Sequence, residues 1–150
     1  GRGLLGFRWQ ESTNASTGLK ARTEYRQDWP FTGMVQQVKR TSPGSVVLSR
    51  TDSTPGCLNP ANGSACTVAA GNRYFPFVSQ TVETGKDLNG AALPTVTTTY
   101  AGYDLYGNVG AVTVSTNDGH SKLTTNTYTN DTTNWFLGRL TRSTVQSTTP

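Results

Sequence analysis

One histidine, nine carboxylates and two cysteines are what this chain of 150 residues offers for chemistry. His120 lies in Asn117-Asp118-Gly119-His120-Ser121-Lys122, a turn-forming string. A Ser/His/Asp arrangement would need a nucleophile brought in from another segment, and no Gly-x-Ser-x-Gly elbow is present to supply one. His120 therefore reads as an exposed turn residue. The carboxylates Glu11, Glu24, Asp28, Asp52, Glu83, Asp87, Asp104, Asp118 and Asp131 are dispersed along the chain and nominate no general acid/base pair. No glycine-rich phosphate loop occurs. The sequence accordingly nominates no catalytic residue, no cofactor site and no metal site, and a hydrolase centred on His120 lacks the partners it would need.

Cys57 and Cys66 flank Leu-Asn-Pro-Ala-Asn-Gly-Ser-Ala. Two thiols with no histidine nearby make an incomplete zinc site. They read either as a disulfide closing a short loop in an exported protein or as two free thiols in a cytosolic one.

Composition narrows the class. Hydrophobic residues make up 33% and charged residues 15%, which is poor for a compact globule. The charge is nevertheless too low, and the β-branched content too high, for simple disorder. A sheet with polar outer faces fits. The net charge of +4 is spread along the chain, and only Lys39-Arg40 are adjacent cations. Nucleic-acid binders concentrate charge in a stripe, so no nucleic-acid partner is expected. No 18-residue apolar run exists, so no membrane span is expected. The chain opens on Gly1-Arg2-Gly3 and closes on Thr148-Thr149-Pro150. It reads as a piece cut from something longer.

The elements that would position any site are all extended. Phe7-Arg8-Trp9 starts a strand, Asn14 to Gly18 is a turn, and Ala21, Thr23 and Tyr25 alternate with Lys20, Arg22 and Glu24. Asp28 to Gly33 is an aromatic turn before the strand Met34 to Arg40, and Pro43-Gly44 breaks the chain ahead of a short strand from Ser45 to Arg50. Thr51 to Gly71, with Pro55-Gly56, Asn59-Pro60 and Asn62-Gly63, reads as a long loop holding both cysteines. Strands follow at Arg73 to Glu83, Thr95 to Tyr100, Val109 to Thr116, Ser121 to Thr129 and Arg139 to Gln146. Helical periodicity is absent, so the expected class is all-β. Three regions result: 1–50, a hairpin region with a degenerate repeat; 51–72, the loop of Cys57 and Cys66; and 73–150, a repeat-type β-sheet.

The stretch Tyr100 to Val114 is the organising one. It reads as strand, reversal at Gly107-Asn108, strand, because Gly and Asn tolerate positive φ. A weak internal repeat accompanies it: Tyr25, Asp28 and Gly33; Tyr103, Asp104 and Gly107; Tyr128, Asp131 and Gly138, each set followed by a strand. The string Tyr103-Asp104-x-x-Gly107-Asn108 resembles the YD repeat of bacterial Rhs proteins and toxin-complex B components. Gly3 to Phe7, Tyr25 to Phe31 and Asn134 to Leu140 resemble segments ahead of and entering those repeat arrays. The resemblance implies antiparallel hairpins in an extended, curved β-sheet, part of a shell that encloses or presents a toxin or effector domain in a secreted or cell-surface bacterial protein. Its partners would then be neighbouring repeats and the enclosed domain of the same polypeptide. Tyr103, Asp104, Gly107 and Asn108 would be structural residues. The self-cleaving core of that family uses an Asp-Pro motif, and this chain has no Asp-Pro dipeptide. The alternative expectation is a stand-alone β-sandwich that recognises a glycan or cell surface, since Trp29, Phe31, Tyr74, Phe75, Phe77, Trp135 and Phe136 could line a groove.

Overall fold

A computed structural model describes residues 6–67, 72–87 and 89–150. Nine strands form one sheet in sequence order: β1 (Trp9–Thr13), β2 (Lys20–Tyr25), β3 (Val35–Thr41), β4 (Val47–Leu58), β5 (Phe75–Gly85), β6 (Val96–Tyr103), β7 (Val109–Thr116), β8 (Ser121–Asp131) and β9 (Phe136–Thr148). Every neighbouring pair is antiparallel. The all-β class is thus observed, as an open meander of a single layer. A β-sandwich, expected under the alternative reading, needs a second sheet packed on the first. The described residues contain one sheet only.

The polar composition has its consequence in the register. One row of laterally paired residues crosses all nine strands as Trp9, Glu24, Gln37, Asp52, Val82, Thr97, Ser115, Ser121 and Thr148. Residues paired across strands share a face, so along this row the face is polar apart from Trp9 and Val82. The opposite face carries Val38, Val96, Val112 and Val114 among threonines. Among the described residues nothing covers either face, and no hydrophobic side chain of the usual core types is fully buried. Pro30, in the β2–β3 corner, is buried.

The charged face of β2 settles its charges within the sheet. Arg22, Lys39 and Arg50 lie abreast on β2, β3 and β4, an arrangement that is unfavourable for like charges. Arg22 offsets it through Glu24 at 2.9 Å and by lying over the Trp9 ring, 4.5 Å from its centroid. Arg50 does so through Asp52 at 2.6 Å.

The long loop expected over 51–72 is corrected for its first eight residues. Thr51 to Leu58 continue β4 and pair with β5 as far as Leu58 opposite Phe75. Pro55 is tolerated because the register shifts between Thr54 and Pro55, and a bulge is one of the few places where a strand can lose an N–H donor. Gly56 is there for room: a Cβ on it would lie 2.6 Å from the Phe77 ring. What remains is a tight reversal in which Leu58 bridges Ala65 and Asn59 receives the N–H groups of Asn62 and Gly63. The part of the loop over 68–71 and the block Gly3-Leu4-Leu5 lie outside the described residues.

Candidate functional site

The Tyr103–Asn108 segment forms the β6–β7 corner, and its chemistry is that of a carboxylate saturated with donors. Asp104 Oδ1 accepts the backbone N–H of Tyr106 and of Asn108, each at 2.9 Å. Asp104 Oδ2 accepts the side-chain amides of Asn108 and Asn130, again at 2.9 Å. Partial burial pushes the Asp104 carboxyl up, but these donors outweigh it and hold the group below the usual carboxylate range. The turn closes through Gly107 N–H to Asp104 O at 3.2 Å and Asp104 N–H to Asn108 O at 3.0 Å. Gly107 sits at φ +88°, where side chains are strained, and a Cβ there would also meet the Phe75 ring at 3.0 Å.

Tyr103 fills a split in the sheet. β5 and β6 pair only over Gln80–Glu83 and Val96–Thr99. Towards the corner the two strands share no ladder bonds, and an aromatic wedge takes their place. The Tyr103 ring lies 4.2 Å from Phe77 and 5.8 Å from Phe75, centroid to centroid. Its hydroxyl donates to Val78 O at 3.3 Å, standing in for a ladder bond to that carbonyl. Burial pushes the Tyr103 phenol up, so it keeps the proton it donates.

Asn130 was not legible as a site residue, and it is the one that joins two corners. Besides donating to Asp104, its Oδ1 accepts the backbone N–H of Gly138 at 2.8 Å. Gly138 is at φ +71°, and a Cβ on it would come within 2.7 Å of Asn108 Oδ1. The β8–β9 corner therefore closes directly onto the β6–β7 corner. The sequence signal was present but ambiguous: Asn130 directly precedes Asp131 as Tyr103 precedes Asp104, and only three-dimensional adjacency reveals that the side chain points back.

The corners of the weak repeat differ in what their acid does. Asp131 Oδ1 accepts the N–H groups of Thr133 and Asn134, and Oδ2 accepts the Asn134 amide at 2.8 Å, which repeats the Asp104 pattern one residue shorter. Asp28 instead holds Arg26 in a two-pronged ion pair at 2.7 and 2.6 Å. The three glycines of the repeat, Gly33, Gly107 and Gly138, all have positive φ.

Cys57 and Cys66 form a disulfide with Cα atoms 5.4 Å apart. It closes the β4–β5 reversal, whose Gly63 lies beside Leu105 of the next corner. His120 closes the β7–β8 turn by accepting the Thr116 N–H at its carbonyl. Its ring meets no hydroxyl nucleophile through a hydrogen bond among the described residues, and Asp118 takes its bond from Thr116. The same residues contain no cluster of three metal-ligating side chains, and no helix long and apolar enough to cross a membrane.

Meander order sorts the aromatics. The β2–β3, β4–β5, β6–β7 and β8–β9 corners share one rim of the sheet with the start of β1. Every aromatic residue except Tyr100 and Tyr128 lies at that rim, in a corner or within the adjoining strand ends. The turns of the other rim, 14–19, 42–46, 86–95 and 117–120, contain none. No family model, curated protein or solved structure matches this chain.

Proposed function

We propose that this chain is a non-enzymatic structural segment of a YD-repeat protein of the Rhs type, one stretch of a β-sheet shell that encloses or presents a toxin or effector domain. The observation that carries the reading is the Asp104–Asn130 link. It ties one hairpin corner to the next in a single-layer meander whose described residues bury no hydrophobic core. Repeat architectures have this character, each unit being stabilised by its neighbours rather than by an enclosed interior. The Asp131 corner repeats the Asp104 arrangement in shortened form. The disulfide suits an oxidising compartment, as a secreted or surface-bound protein would meet.

The coding sequence on either side of this chain tests the reading. Further Tyr-Asp-x-x-Gly units downstream are expected. A stop codon directly after Pro150, with no such unit upstream, overturns the proposal. A protein-level test is urea unfolding of this chain alone and joined to its natural flanking segments. The transition of these nine strands should move to higher urea in the longer chain, and an unchanged midpoint would contradict stacking on neighbours.

A further inference from the structure

The tip of β4 has a neighbour on each side, and only one of them is a strand of the meander. Leu58 pairs with Phe75 of β5 and also bridges Ala65. A strand residue takes one lateral partner on each side, so Ala65 lies on the β3 side of β4. That side carries no ladder to β3 beyond Asp52, because the β3–β4 pairing stops at Gln37 opposite Asp52. The chain therefore folds back along β4 before it enters β5. Asn59 N–H donates to Ser64 O at 2.8 Å, and Cys66 N–H donates to Cys57 O at 3.2 Å. Residues 61–65 are exposed, so apolar burial does little to hold the fold-back. Hydrogen bonds open to water add only a small net gain each. The Cys57–Cys66 bond at its base is the strong tie.

The fold-back is also a junction between corners. Gly63 lies beside Leu105 of the β6–β7 corner, where an added Cβ would be 3.6 Å from the leucine side chain. Tyr74, which leads into β5, meets Trp29 of the β2–β3 corner edge to face, with ring centroids 5.6 Å apart. Phe75, opposite Leu58, packs its ring against Tyr103 and Gly107. Freeing the tip of β4 and β5 therefore reaches both flanking corners. The ladders of β7, β8 and β9 involve none of these residues.

We infer that Cys57–Cys66 is a redox-operated clasp. Oxidised, it pins residues 59–66 along the free side of β4 and keeps the tip in contact with the two corners. Reduced by a thiol, it releases the tip while the rest of the sheet stays folded, as a local opening of low free energy. Two thiols of the reductant supply two electrons and two protons. The S–S bond breaks, Cys57 and Cys66 become thiols, and the reductant becomes a disulfide. Neither cysteine is fully buried, so the bond is open to attack in the folded protein. A chain moving from a thiol-rich compartment to an oxidising one passes from the open form to the closed one. The clasp is independent of the shell reading, since it depends only on this reversal and its two neighbours.

The test is amide hydrogen exchange of the folded 150-residue chain, read by NMR across a series of oxidised-to-reduced glutathione ratios without denaturant. In reducing buffer the Asn59, Gly63 and Cys66 amides should exchange on the order of tenfold faster or more. The Asp104 and Gly107 amides, which close the β6–β7 corner, should speed up by a smaller factor. The Asn14 and Gly18 amides close an exposed turn on the other rim and should not change, nor should those of β8. Reoxidation should restore the first pattern. Cys57→Ser combined with Cys66→Ser should show the reduced pattern in either buffer. A bond that yields to glutathione only when the whole chain is unfolded in urea overturns the inference. So does reduction that leaves the Asn59, Gly63 and Cys66 amides as protected as before, or that strips protection from β8 as well.

Discussion

Asn130 is worth more to this sheet than its surface position suggests, because it satisfies partners on two different corners. Asn130→Ala leaves the Gly138 N–H without its acceptor and removes one donor from Asp104. A half-buried group stranded in this way costs about 1–2 kcal/mol, to be read as a lowered urea midpoint at neutral pH. The same network fixes the sign of a pH dependence. Donors hold Asp104 below its ordinary range, and Asp52 is likewise held down by Arg50 and Gln37. A carboxylate depressed in the folded state contributes stability above its unfolded pKa of about 4, and that stability is lost as pH falls through the folded value. Unfolding at about pH 3 should therefore need less urea than at neutral pH. The acid-induced loss should be smaller in Asn130→Ala, and an equal loss in both proteins would show that Asp104 is not the group responsible. The sequence made Asp104, Gly107 and Asn108 visible, since an acid, a glycine and an asparagine in a reversal have local reasons to be there. Asn130 has a local alternative, capping its own turn, and only tertiary adjacency decides against it.

The elements hold together where ordinary pairing fails. Between β5 and β6 the ladder stops short of the corner, and the Phe75, Phe77 and Tyr103 rings replace it. Tyr103→Phe removes only the hydroxyl bond to Val78 O and should cost roughly 1 kcal/mol. Tyr103→Ala opens the wedge and should cost roughly 2–4 kcal/mol, the range for losing a large ring that is only half buried. Near-equal destabilisation by the two changes would mean that the rings do not pack as a unit. Beside the wedge, the Cys57–Cys66 bond closes a loop with a sequence separation of 9. Reduction should lower stability by roughly 2–3 kcal/mol on loop-closure grounds, measured by urea unfolding with and without reductant. Strand positions were readable from β-branched alternation and turn residues almost throughout. The exception, Thr51 to Leu58, misleads because Pro55-Gly56 is a turn signal wherever the chain is free to bend. Here a bulge accommodates the proline, and the Phe77 ring needs the missing side chain at Gly56. Neither condition is local to that stretch.

At the scale of the whole molecule, the unusual property is where the apolar material lies. Alternation along a strand assigns residues to faces, and both faces here came out largely polar. The partition between rims emerges only once the order of the strands is known, because it depends on which turns fall at the same end. With most of its aromatics at one rim and, among the described residues, no enclosed core, the sheet also leaves its two lateral edges, β1 and β9, without a strand partner among those residues. β9 is the longer, and along it Leu140 and Val145 are more than half exposed. Native sheets protect such edges with charge, proline or bulges; the first half of β9 has Arg139, Arg142 and two register shifts against β8, but from Arg142 to Thr148 its pairing is regular. The chain on its own should therefore self-associate through backbone pairing at β9, seen by size-exclusion chromatography with light scattering as a mass that rises with concentration. Leu140→Lys combined with Val145→Lys should suppress the association without changing the far-ultraviolet signature of the sheet, since neither side chain has a covering layer to lose. Trp135→Ala, at the rim rather than along the edge, should leave it intact. A chain that stays monomeric at every concentration, or one whose association yields to Trp135→Ala and not to the lysines, would show that this edge is already protected.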